Sequence, residues 1–252
     1  MGDGSRPVGD RPGSRGEAAV SFGTLLYFVR RGENESLRYS LRTLSNLPHD
    51  RLVIVGHAPG WVQNAEVIRG NKHASKWLNV FGNLRIASRE LAGETFVVMN
   101  DDFFITQPMR ELPSWHRGPL ADHLEPIRSG AWRRSLVATL DFFLDHGNTD
   151  PLSYEAHIPV EMEADKLGVV LDLAAEWSTL RKGRRDLPQW RTLYGNWWQV
   201  PAVRRADVKL NTTDSEWDPS AGIVSTNART FRDHPVLRKM RASLSEPSPY
   251  ER

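Results

Sequence analysis

Three short segments carry the side chains best suited to chemistry. Asn100-Asp101-Asp102 follows directly on the apolar run Phe96-Val97-Val98-Met99. Two adjacent carboxylates repel each other unless a cation stands nearby. A hard cation such as Mg²⁺ or Mn²⁺ takes oxygen ligands and bridges readily to phosphate oxygens. The same residues also make a good exposed turn with a helix cap, so the doublet alone leaves a metal site and a solvated turn both open. His157 stands in Ser153-Tyr154-Glu155-Ala156-His157-Ile158-Pro159, a Pro-flanked stretch expected just before a helix. It is a candidate general base toward a hydroxyl, against the plainer reading of a hydrogen-bonded or surface imidazole. Arg191 opens Arg191-Thr192-Leu193-Tyr194-Gly195-Asn196, ahead of Trp197-Trp198. A guanidinium fork matches phosphate oxygens, and Gly195-Asn196 allows a tight turn; the alternative is a solvated arginine beside that turn. Arg181-Lys182-Gly183-Arg184-Arg185 reads as a solvated loop or a contact for an anionic acceptor. None of the nine tryptophans is assigned to substrate, because indoles serve packing more often than sugar stacking.

The surrounding pattern supplies elements to position these groups. Leu25–Val29 and Leu52–Val55 read as buried strands, and Phe96–Met99 as a third. Asn34 is placed to cap a helix with the stripe Leu37, Leu41 and Leu44, ending near Pro48. A second helix is expected from about His73 to Leu91. Strand–helix–strand–helix–strand order implies a largely parallel, right-handed α/β sheet, and ligands of such sheets bind at the carboxyl ends of the strands, where Asn100-Asp101-Asp102 falls. Further on, Leu136, Leu140, Phe143 and Leu144 form a helical stripe stopped by Gly147. Leu167, Val170, Leu171 and Ala174 form another, and a last helix starts at Pro235 and runs to about Leu244. Residues 1–19 are rich in Gly, Pro, Arg and Ser and read as a disordered tail, with residues 20–252 as one α/β domain.

Composition narrows the chemistry. With no cysteine in 252 residues, disulfides, thiol nucleophiles and Cys-ligated zinc are excluded. A net charge of +2 is too small for a dominant phosphate-backbone footprint, which argues against nucleic acid as partner. The apolar runs are too short to span a bilayer, and the amino terminus lacks the apolar stretch of a signal peptide, so the expectation is a soluble, cytoplasmic protein.

Read together, the segments resemble the Stealth family of sugar-phosphate transferases, and within it the shortened actinobacterial and phage members described as glycosyltransferases. Glu35–Leu44, the strand Leu52–Val55 and Pro59-Gly60-Trp61 are similar to the family's second region, which ends in a stretch like Phe96–Phe104. His157-Ile158-Pro159 with Arg191 resembles the third region. Ser225-Thr226-Asn227 and Glu246–Glu251 resemble the fourth. The resemblance implies a Rossmann-like sheet of the glycosyltransferase A type with helices on both faces. It also implies a nucleotide-sugar donor and a hydroxyl acceptor on a glycan or glycoconjugate. Asp101 and Asp102 would hold Mg²⁺ or Mn²⁺ against the diphosphate, His157 would take the acceptor's proton, and Arg191 would stabilise phosphoryl oxygens. Arg30, Arg38, Lys76, Asn100 and Asn196 would contact the donor. Two positions depart from the family pattern: Thr24 stands near where the first region has an acid, and Thr226-Asn227 replaces an Asn-Asp pair. The departures leave sugar-phosphate transfer, plain glycosyl transfer and a non-catalytic glycan-binding module all open.

Overall fold

Strict alternation along three strands explains why the central sheet is covered on both sides. The computed structural model of the protein describes residues 20–73, 75–180 and 186–252, without the Lys76 side chain. The expected tail over 1–19, the basic run Arg181–Arg185 and the proposed donor contact of Lys76 therefore lie outside the described residues. In chain order the elements are β1 (Thr24–Val29), α1 (Glu35–Arg42), β2 (Arg51–Gly56), β3 (Glu66–Arg69), α2 (Lys76–Glu90) and β4 (Thr95–Met99). There follow β5 (Phe103–Ile105), β6 (Trp115–His116), α3 (Leu120–Leu124), α4 (Gly130–Asp145), β7 (Val160–Glu163) and α5 (Ala164–Leu180). The chain closes with α6 (Trp190–Trp197), β8 (Val203–Arg204), β9 (Ile223–Ser225), α7 (Ala228–Asp233) and α8 (Pro235–Ser243).

The fold is α/β, built on a five-stranded sheet of order β3-β2-β1-β4-β7. The first four strands are parallel and β7 is antiparallel to β4. Leu26, Val53, Val55, Phe96 and Val98 point to one face, under α2, α4, α5 and α6. Leu25, Tyr27, Leu52, Ile54, Val97 and Met99 point to the other, where α1, β5 and β9 cover them. Side chains of period two on a strand buried on both faces give the near-continuous apolar runs seen in the sequence.

The three expected strands and the long helices stand within a few residues of their predicted bounds. β3 and β7 are additions that periodicity does not announce. β3 is an edge strand with mostly exposed side chains, and Val160-Glu161-Met162-Glu163 is too short and too polar to stand out. Two local expectations are corrected. Asn34 has left-handed backbone (φ 50°) and no side-chain cap bond to α1. Its amide donates to the carbonyls of Arg30 and Gly32, closing the turn after β1. Gly195-Asn196 is not a turn but the middle of α6, where a Cβ on Gly195 would come within 2.5 Å of the Tyr154 ring. Glycine is required there by close packing rather than by a turn. Among the described residues no helix is long and apolar enough to cross a membrane.

Candidate functional site

β1 leads outward to β2 and β3 on one side, and the chain then returns to place β4 on the other. Open α/β sheets bind ligands in the crevice at the carboxyl ends of strands where the order reverses in this way. The turn Asn100-Asp101-Asp102 lies at that point. The backbone N–H of Phe103 donates to the Asn100 carbonyl at 3.2 Å, and β5 leaves to pair with β9. The acids form a turn that is half-buried and caps no helix.

Arg191 sits in the first turn of α6 and is only 8% exposed. Its guanidinium lies 4.1 Å from the Trp190 ring, and Nη2 donates to Asn100 Oδ1 at 3.2 Å. Burial lowers its pKa, opposed by the charges of Glu155, Asp102 and Asp207. Even so it stays protonated at any physiological pH. Glu155 is 3% exposed and accepts from both the backbone N–H and the hydroxyl of Thr192. Burial pushes its carboxyl up, and Arg191, Thr192 and His157 pull it back.

His157 precedes a strand, β7, rather than the helix expected after it. Its Nδ1 lies 2.8 Å from Asp207 Oδ2, and its backbone N–H donates to Asp207 Oδ1 at 3.0 Å. Arg117 Nη1 lies 3.4 Å from the same Oδ2. Burial alone would raise the Asp207 carboxyl, but the His157 hydrogen bond and charge, with Arg117, hold it down at about 2. Lys209 Nζ lies 3.5 Å from Asp102 Oδ2. Asp207 and Lys209 alternate with Val208 and Leu210 along an extended segment whose Lys209 bridges Ser225, so both charges face the site while the aliphatic neighbours pack inward.

Asn100, Asp102, His157 and Arg191 are thus linked through one network, although their chain positions span about a hundred residues. Asp101 belongs to the same turn, and its charge is felt by the buried Tyr27 phenol. Asn196 is not part of the network. Its amide bonds to Leu152 N, Leu152 O and Thr192 O. Together with Thr192 and Tyr154 it clamps the 152–155 segment to α6, which fixes His157 relative to Arg191. Arg38 also stands apart, tied to Glu251 at 3.2 Å and lying over Trp61 at 4.4 Å. Arg30 is exposed at the end of β1. Thr24 lies at the opposite, amino end of that strand, roughly 16 Å of extended chain away. An acid at position 24 would not reach this cluster. Thr226 donates its N–H to the Asp102 carbonyl and Asn227 caps α7 in a capping box.

No family model matches the chain. No curated protein matches it either.

Several buried polar atoms at the site have no partner among the described residues: Asp102 Oδ1, Arg191 Nε, Ser225 Oγ and Thr226 Oγ1. Such orphans are costly unless something else satisfies them. An unpartnered carboxylate oxygen beside a second carboxylate fits a divalent cation that draws its other ligands from phosphate and water. Among the described residues no three His, Asp or Glu side chains gather, so protein oxygens alone would not complete a coordination shell. A cavity of about 370 Å³ reaches Arg191 and is lined by Trp115, Tyr154 and Tyr194.

His123 supplies a test of the network's electrostatics. It is 8% exposed and its Nδ1 lies 2.7 Å from Ser153 Oγ. Burial and Arg117 hold its pKa down to about 4, below the ordinary 6.5. A depressed folded-state value contributes stability that is present above about 6.5 and lost as pH falls toward 4. The thermal midpoint difference between the wild type and His123→Gln is therefore expected to shrink across that window. A difference that stays constant would contradict the burial argument.

Proposed function

We propose that the protein transfers a sugar phosphate from a nucleotide sugar to a hydroxyl of a glycan or glycoconjugate, using Mg²⁺ or Mn²⁺ held by Asp101 and Asp102. The observation that carries this is the meeting of Asn100, Asp102, His157 and Arg191 at the switch point of a mostly parallel α/β sheet. The resemblance of the four segments to Stealth transferases supports the same reading. The cation's chemistry is to neutralise charge on the diphosphate.

The chain's own residues then have distinct tasks. Ionised Asp207 only accepts hydrogen bonds, so the proton of His157 sits on Nδ1 and Nε2 keeps its lone pair. Nε2 accepts the proton of the acceptor hydroxyl as its oxygen bonds to the phosphorus beside the sugar. The phosphorus–oxygen bond to the nucleoside monophosphate breaks in the same step. Arg191, rigid between Trp190 and Asn100, faces the charge on the phosphoryl oxygens. It acts more directly on a transition state centred on phosphorus than on one centred on the anomeric carbon.

The products test this. The protein is incubated with metal and a nucleotide sugar chosen by thermal shift, and slow transfer to water is read by separating the nucleotides. Nucleoside monophosphate with sugar phosphate is the expected result, and Asp102→Asn should lose metal-dependent donor binding while remaining folded. Diphosphate with free sugar would overturn the reading in favour of glycosyl transfer. Donor binding without either product would make the protein a binding module.

A further inference from the structure

A second cavity lies away from the acids. It measures about 760 Å³, within the size range of small-molecule sites, and covers the carboxyl ends of β1, β2 and β3 and the approach to α2. Arg30, Arg31, Arg69 and Lys72 line it, with His57 and His73, and among the described residues no carboxylate does. The four cations come from two segments, Arg30-Arg31 after β1 and Arg69–Lys72 at the end of β3, which the sheet brings together.

Arg38, Arg42, Arg51, Arg85, Arg117 and Arg134 each have a carboxylate within 3.4 Å. None of Arg30, Arg31, Arg69 and Lys72 is ion-paired with a described carboxylate, and all four are exposed. Exposed arginines elsewhere, among them Arg128, Arg229 and Arg238, also have no carboxylate partner among the described residues; these four cations differ in surrounding one cleft. Glu33 and Glu35 lie in the adjoining hollow, beyond His57. Uncompensated cations held at close quarters repel one another, and an anion relieves that.

The floor of the cleft is built for close approach. Gly56 has φ +118°, and a Cβ there would meet the Val29 carbonyl oxygen at 2.3 Å. A Cβ on Gly70 would meet Gly56 Cα at 2.6 Å. Both glycines are thus required by the close approach of neighbouring backbone beneath the cleft. The polar side chains of Asn71 and Asn79 bond to backbone N–H groups and hold the rim loop in shape.

We infer that this cleft is an anion site for a phosphate-bearing ligand, working without metal and separate from the Asp101–Asp102 turn. Arginine forks bind phosphate oxygens bidentately and Lys72 adds a point charge. The chemistry suits the diphosphate of a nucleotide or the phosphates of a phosphodiester glycan. The inference does not depend on the transfer reading, since it concerns binding alone.

Titration calorimetry of the whole chain with inorganic pyrophosphate in EDTA tests it. Binding is expected without divalent metal, weakening steeply with salt. It should fall about tenfold or more in Arg30→Gln/Arg69→Gln, whose exposed positions leave the fold intact by circular dichroism. Asp102→Asn should bind pyrophosphate as the wild type does, which separates this site from the metal turn. No binding in EDTA, or equal affinity in the folded double variant, would overturn the inference. Two further titrants distinguish the sources. A nucleoside diphosphate binding tighter than pyrophosphate assigns the cleft to a nucleotide. A glycerol phosphate oligomer binding tighter than both assigns it to a phosphate-bearing acceptor.

Discussion

Replacing Arg191 with methionine is expected to cost about 1–3 kcal/mol of folding free energy, the range for losing a charged hydrogen bond to a buried acceptor. Methionine keeps much of the side chain's volume, so the loss is not a simple cavity effect. It arises because Asn100 Oδ1 would lose its donor and the buried Glu155 carboxylate, hydrogen-bonded to Thr192, would lose a nearby positive charge. Burial already raises its folded-state pKa above the ordinary 4.5. A carboxyl raised in the fold contributes stability that is present below its unfolded value and lost as pH rises through the folded one. Removing Arg191 raises the folded value further, so the deficit of the variant should be full at pH 7 and recede toward pH 4.5. Glu155→Gln keeps the acceptor oxygen for Thr192 and removes the charge. Adding it to Arg191→Met should restore part of the loss. Urea unfolding of the four proteins decides the matter: a cycle in which the two costs simply add would mean that Glu155 and Arg191 do not compensate each other.

What the sequence discloses here follows the range over which each signal acts. Strands β1, β2 and β4 are legible because both their faces are buried and their apolar runs are local. Asp101-Asp102 is legible because a strand end precedes it directly. Asn196 misleads, since an amide next to a glycine looks like a turn and only the packing of Tyr154 on α6 reveals a helix. Asp207 is hidden for a different reason. Nothing in Arg205-Ala206-Asp207-Val208-Lys209 marks it as a partner of His157, because the contact spans fifty residues and is made by the return of the chain toward β9. The period-two placement of Asp207 and Lys209 against Val208 and Leu210 is a weak signal that one extended side carries both charges. Glu155 stands two residues before His157, yet its burial near Arg191 depends on α6 docking and leaves no trace in residue spacing. Arg30 is legible as a strand-end cation, whereas its grouping with Arg69 and Lys72 requires the β2–β3 pairing that periodicity misses.

The unforeseen Asp207 leads to the other large expected effect. His157→Ala should slow transfer by about 10²–10⁴-fold, the contribution typical of a positioned general base. Asp207→Asn should come close to the same loss, although this residue is placed to touch His157 rather than substrate. An amide can offer an N–H where the carboxylate only accepts, which lets it donate to Nδ1 and sends the imidazole proton to Nε2. The lone pair needed by the acceptor hydroxyl is then gone. Because Asp207 lies behind the ring, kcat should fall while KM for the donor changes little. The decisive measurement is the double variant. If Asp207 acts only through His157, His157→Ala/Asp207→Asn should be no slower than His157→Ala alone, since groups that work as a unit are strongly non-additive. A purely structural aspartate would add its own penalty on top. Stability provides an independent check that needs no substrate. A carboxyl held at about 2 against an ordinary 3.8 contributes stability that is present above the higher value and lost as pH falls to the lower. The wild type should therefore exceed Asp207→Asn at neutral pH, and the two should converge between pH 3.8 and about 2. Additive rate losses together with a pH-independent stability gap would remove Asp207 from the mechanism and leave His157 without its orienting partner.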